Sequence, residues 1–253
     1  METFVDHPEV MFVVLFGVLV AGVLLGAFTF RRWLLLGDAE REDFKVVQTA
    51  TLTLLALLIG FCLSMAVGRY DQRKNLEEAE ANAIGTEYAR ADLAGAAAPQ
   101  IKQALAKFAH LRLADFLTRD PQQLDRIGRD TAMLESQLWA MATQVAKDQP
   151  TPIGALVVSG MNDVLNSQDY SEAARINRVP IGAWALMIVI AFAGCVVQGF
   201  GARGKLRAGL FVTLLPLSVS LSLALIADID SPRGGLIHVQ PQNLSRLVRS
   251  IEP

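Results

Sequence analysis

Four stretches of this chain carry no charged side chain: Val10 to Phe30, Val46 to Gly68, Val179 to Ala202 and Ala208 to Ala227. Each is near the length of roughly 20 apolar residues that a helix needs to cross a hydrocarbon core. In lipid a backbone must satisfy its own hydrogen bonds, and a run of this length does so as a helix. The runs fall into two pairs around a hydrophilic middle. The expected fold class is therefore an all-α membrane protein, with four transmembrane helices in two pairs flanking a central extramembrane helical bundle. By residue, 1–68 would hold the first pair, 69–178 the bundle, 179–229 the second pair and 230–253 an extramembrane tail. The second run passes without a break into RYDQRKNLEEAEANAIGTEYARADL, which reads as one helix continuing from lipid into water.

Composition agrees with two materials in one chain. The 253 residues are 52% hydrophobic yet 19% charged, because the middle is polar. A net charge of -2 gives no basic balance that would attract nucleic acid, and no motif of that kind is present. Cys62 and Cys195 both fall in apolar runs, where packing is the plainer reading than a disulfide. The start METFVDHPE has Glu2, Asp6 and Glu9 but no Lys or Arg, unlike the cationic start of a cleaved signal, so the first run is expected to stay. Arg31, Arg32, Arg41 and Lys45 in one short connection, and Arg203, Lys205 and Arg207 in the other, place both on the cytoplasmic side by the positive-inside rule. The central domain would then lie outside. Arg69, Arg73 and Lys74 vote the other way.

The apolar runs also carry small and hydroxyl residues at helical spacing. Gly22 and Gly26 form a GxxxG, and Ala191, Cys195 and Gly199 repeat at four. Helices in lipid associate by close backbone approach at such residues. On the second run Thr49, Thr53, Ala56, Gly60 and Ser64 follow one face, and Thr213, Leu217, Ser220, Ala224 and Asp228 do so on the fourth. Hydroxyls on these stripes either bond back to their own helix or line a wet path. The fourth run closes with ADIDSPRGG, where Pro232, Gly234 and Gly235 stop the helix. Asp228 and Asp230 there can form an acidic pore mouth, or an interfacial ion pair with Arg233 that fixes the helix end.

The middle reads as helical throughout. Asp120 before Pro121 and Thr151 before Pro152 are capping side chains ahead of a first-turn proline. Between them Leu124, Ile127, Thr131, Leu134, Leu138, Met141 and Val145 step by three and four, a coiled-coil seam. Its expected partner is the preceding helix, through Ile101, Leu105, Phe108 and Phe116, with Gly95 to Pro99 breaking that helix from the long one. A shorter helix from Pro152 to Asn166 follows, and the seam can close within one chain or between subunits. After the last apolar run, LIHV reads as a short strand. Leu244, Leu247, Val248 and Ile251 give an amphipathic helix that can lie on the membrane or dock on the bundle.

No catalytic apparatus is legible. His7, His110 and His238 are far apart, and HExxH, CxxC, GxSxG and phosphate-binding glycine loops are all missing. The chain is expected not to be an enzyme and to carry no cofactor. Glu77, Glu78 and Glu80, with Arg73 and Lys74 one turn back, read as solvated ion pairs. A metal site built on them would need ligands from elsewhere.

GFCLSMAVGRYDQRKNLEEAEANAIGTEYARADL, at Gly60 to Leu93, and ADIDSPRGGLIHV, at Ala227 to Val239, together resemble the bacterial bestrophin-like membrane proteins. More distantly, Arg69, Tyr70, Asp71 and Arg73 are similar to the pattern at the exit of the second helix of bestrophin ion channels. An ungapped match on Tyr70 puts Ala56, Gly60 and Ser64 where bestrophins narrow their pore with bulky apolar residues; Leu57 and Phe61 supply bulk in a shifted register. The resemblance implies a homo-oligomer, a pentamer by preference, in the bacterial inner membrane, with lipids, ions and its own copies as partners and a central pore lined by the second helix. The implied pore-lining residues are Thr49, Thr53, Ala56, Leu57, Gly60, Phe61 and Ser64, with Arg69, Asp228 and Asp230 at the pore mouth or in ion pairs. The acidic calcium cluster of animal bestrophins has no counterpart here. A second reading is a non-conducting scaffold or sensor whose bundle binds a partner or ligand.

Overall fold

The computed structural model describes residues 6–30, 38–201 and 207–251, and side chains for all of these except 30, 38–41 and 207–211. Arg31, Arg32, Arg203 and Lys205, on which the orientation rests, lie outside the described residues. Every regular element among those described is a helix. They are α1 (Pro8–Leu25), α2 (Asp38–Arg90), α3 (Ala98–Leu117), α4 (Pro121–Asp148), α5 (Pro152–Ile176), α6 (Ile181–Gly201), α7 (Arg207–Asp230) and α8 (Gln242–Ile251). One wider turn, Gly26–Phe30, extends α1, and a tighter one, Ala91–Ala97, joins α2 to α3. Among the described residues four helices are long and apolar enough to cross a membrane, and each overlaps one of the four uncharged runs.

The chain divides into two compact units, one of residues 1–70 and 178–238 and the other of residues 71–177 and 239–253. The first is built on α1, the start of α2, α6 and α7. Its core joins Met11, Leu15 and Leu19 to Leu55, Cys62 and Ala66, and to Trp184, Met187, Leu223 and Ile226. The GxxxG of α1 packs within the chain. A methyl group on Gly22 would stand 3.0 Å from the Phe192 ring, and one on Gly26 would meet the Val196 carbonyl. From the other side Gly199 lies against the carbonyl of Val23. Small residues thus bring α1 and α6 to backbone contact, the main source of attraction when lipid removes the hydrophobic one. Both cysteines are buried and free.

The second unit is a helical bundle. Ile84 of α2, Ile101, Leu105 and Phe108 of α3, Leu134, Leu138 and Val145 of α4, and Val157, Met161 and Val164 of α5 form its core. The seam on α4 is buried within the chain at Thr131, Leu134, Leu138 and Val145. The predicted caps are in place: Asp120 accepts from the Gln122 N–H at 3.0 Å and Thr151 Oγ1 from the Gly154 N–H at 3.4 Å. Gly95 makes the break after α2 with φ +59, a conformation that costs glycine nothing.

Two expectations fail here. The helix starting at Pro152 runs to Ile176, well past Asn166, because Gln168, Ser171 and Ala174 continue its buried face with polar and small residues that hide the periodicity. LIHV forms no strand. Leu236 and Ile237 give their N–H groups to the Asp228 carboxylate at 2.6 and 3.1 Å, so no neighbouring strand receives them. The tail helix α8 docks on the bundle, its Leu244 and Val248 buried in the bundle core.

Candidate functional site

The membrane part of α2 presents two unlike faces. Leu55, Cys62 and Ala66 are buried in the first unit's core. Near its start, Gln48 donates to the Gln198 side chain of α6, and Phe44 stacks edge-on against Phe200 with centroids 5.1 Å apart. The opposite face is open. Thr49, Thr53, Ala56, Leu57, Gly60, Phe61 and Ser64 are all exposed in the single chain, Leu57 at 54% and Phe61 at 62%. A Cβ at Gly60 or Gly68 would find nothing within 4 Å. Where Gly22 of α1 and Gly199 of α6 are met by neighbours, Gly60 and Gly68 of α2 are not. Arg69 lies at the end of this face, half-buried, with Nη2 3.7 Å from Met65 Sδ.

Asp228 and Asp230 work as local clamps. Asp228 takes the two N–H groups already named, with Gly235 pressed against its Oδ1 at φ +68. Asp230, 1% exposed, accepts the Val179 N–H at 3.1 Å on both oxygens, just ahead of α6. Ser231 donates to Asp6 at 2.8 Å, and Asp6 pairs with Arg178 at 2.8 Å. The ADIDS segment therefore ties the end of α7 to the starts of α1 and α6. On α7 itself Ser220 bonds back to the Pro216 carbonyl at 2.7 Å, helping a helix that carries an internal proline.

The extension of α2 holds charge where solvent was expected. Arg73, Glu77, Glu80 and Glu87 are all buried, while Glu78 is exposed. Glu80 receives the Nε–H of Arg112 from α3. Arg112 also reaches Glu172 of α5 at 3.2 Å and Asp115 at 3.7 Å, and Asp115 is paired with Arg175. Burial alone would lower the Arg112 guanidinium, but Glu80, Asp115 and Glu172 carry it above its ordinary value. Glu77 serves differently: it accepts from the Leu244 N–H and the Asn243 side chain, both at 2.8 Å, at the start of α8. The solvated-pair reading is thus corrected for Glu77 and Glu80. The spacing held the signal, since Arg73, Glu77, Glu80, Ile84, Glu87 and Ala91 step by four and three along one face, and Arg112 follows Phe108 by four on α3. Among the described residues no three His, Cys, Asp or Glu side chains are grouped to hold a metal ion.

The sequence profile of the Bestrophin-like domain matches residues 17–244. The chain belongs to the Bestrophin-like family. This bestrophin-like chain is an integral membrane protein, all-helical among its described residues. Its fold is similar to that of a bacterial bestrophin homolog from Klebsiella pneumoniae, at 15% identity and TM-score 0.63, covering 95% of this chain and 94% of that one. A tryptophan-to-alanine variant of that homolog aligns at 15% identity and TM-score 0.68, over 95% and 93%. A structure described as a membrane protein with a proline-to-alanine change aligns at 16% identity and TM-score 0.65, over 96% and 95%. Comparison with curated proteins gives no match.

Proposed function

We propose that this protein is a homo-oligomeric ion channel whose central pore is lined by the second membrane helix, with Thr49, Thr53, Ala56, Leu57, Gly60, Phe61 and Ser64 facing the ions and Arg69 at the mouth. The observation that carries the reading is the asymmetry of α2, packed through Leu55, Cys62 and Ala66 and open along the whole opposite stripe. Membership of the Bestrophin-like family supports it. A ring of copies closed by rotational symmetry would turn these stripes toward one axis, and five copies in the bacterial inner membrane is the arrangement we propose. Leu57 and Phe61 would be the apolar constriction, and Thr53 and Ser64 the hydroxyl positions beside it. For Asp228 and Asp230, whose carboxylates are engaged by backbone donors, we propose the role of holding helix ends.

Reconstitution in planar bilayers tests the proposal. Ser64→Cys and Thr53→Cys channels are expected to lose current on reaction with a charged thiol reagent, and Phe61→Ala is expected to raise conductance. Intact oligomers that pass no current, with a dry interface between second helices, would instead favour a scaffold or sensor.

A further inference from the structure

One acid in the bundle is left unanswered by its surroundings. Glu87 lies on the buried face of α2 in line with Glu77 and Glu80, and none of its surface is exposed. Unlike those two, it receives no hydrogen bond at either carboxylate oxygen. Its Oε2 sits against Gly160 of α5 so closely that a methyl group at that position would collide with it. Glycine at 160 is what makes room for the acid. The charged groups that face it are Arg90, one turn on along α2, and Asp163 on α5, which act in opposite senses. An ionised carboxylate buried without hydrogen bonds carries a heavy desolvation cost that the neutral acid of the same shape largely escapes.

We propose that Glu87 is a proton-binding site of the bundle: it seats against Gly160 as the neutral acid, and loss of its proton loosens the contact between α2 and α5. Burial pushes the Glu87 carboxyl up to about 7, with Arg90 opposing and Asp163 reinforcing the shift, so the change falls near neutral pH. Nothing in this inference requires a pore, and it stands or falls apart from conduction.

The test is an infrared titration of the full-length protein in lipid nanodiscs from about pH 5 to 9, bracketing the expected midpoint. A protonated-carboxyl band is expected that fades with a midpoint near neutrality in the wild type and is missing from Glu87→Gln. A wild type with no carboxyl titrating near neutrality overturns the proposal even if the variant fails to fold, and so does a band that persists in a folded Glu87→Gln. Hydrogen exchange of residues 83–91 and 157–164, corrected for the intrinsic rate, tests the loosening. Between about pH 4.5 and 7, where the closed contact holds a proton that the loosened one has released, wild-type protection is expected to fall by up to about tenfold per pH unit and to level off above that, while that of Glu87→Gln stays level. Parallel profiles would overturn the coupling.

Discussion

Arg112 of α3 donates its Nε–H to Glu80 of α2 inside the bundle, both side chains being at most 1% exposed. Such a pair is a poor source of net stability but an expensive one to break, because the surviving partner keeps its charge without compensation. Glu80→Ala or Arg112→Met alone is expected to cost about 3–5 kcal/mol. The double replacement should cost less than the sum. A double-mutant cycle by thermal unfolding in detergent measures this, and simple additivity would mean the two side chains do not interact.

One substitution is expected to act in opposite directions on two membrane helices. Gly199→Ala drives a methyl into the Val23 carbonyl, backbone that cannot step aside, and should destabilise the protein by about 3 kcal/mol or more. Gly60→Ala meets nothing within 4 Å in the single chain and gains helix propensity of about 0.5–1 kcal/mol. Comparing the melting of the two variants decides it. A Gly60→Ala protein as unstable as Gly199→Ala would show that the α2 stripe is tightly packed in the assembly.

Glu77 fixes the tail helix by accepting at its first turn. Removing a capping acceptor costs about 1–2 kcal/mol. Glu77→Ala is therefore expected to release α8 locally, with faster tryptic cleavage at Arg246 and Arg249 and little change elsewhere. Cleavage at the wild-type rate would mean that Leu244 and Val248 hold the helix without the cap.

Asp230 receives the Val179 N–H on both oxygens just before α6. Asp230→Ala leaves that buried N–H without an acceptor, a loss of about 1–3 kcal/mol. Asp230→Asn, which keeps one acceptor oxygen, should recover part of it. Equal losses in the two variants would point to the negative charge rather than the hydrogen bond.

Stability is expected to depend on pH through Glu87. Its carboxyl is raised from 4.5 to about 7 in the folded protein. Between those values the folded state holds a proton that the unfolded state has released, so stability falls as pH rises. The contribution is complete below about pH 4.5 and gone above about 7, and the shift corresponds to about 3 kcal/mol. Denaturation of wild type and Glu87→Gln across this window should show a steeper slope in the wild type, the difference being the part that Glu87 contributes.

The coarse layout was legible because lipid admits so few solutions. An uncharged run long enough to span must be a helix, and the four runs, the capped prolines at 121 and 152 and the break at Gly95 follow from local chemistry alone. Where local signals were weak the reading slipped. The second half of α5 buries Gln168 and Ser171 rather than aliphatic residues, and LIHV looked like a strand until Asp228 took its N–H groups.

By itself, then, the sequence determined where the apolar spanning helices and the capped starts of the bundle helices lie, since both are properties of a short stretch and its solvent. The tertiary structure alone decided what the charged residues do. Glu77, Glu80 and Glu87 stand on one face of one helix with the same side chain, yet one caps α8, one pairs with Arg112 and one is left against Gly160 without a donor. That difference lies in the residues opposite them, which come from α8, α3 and α5. A carboxylate's solvation, hydrogen bonding and charge state depend on those distant neighbours, and no local pattern encodes them.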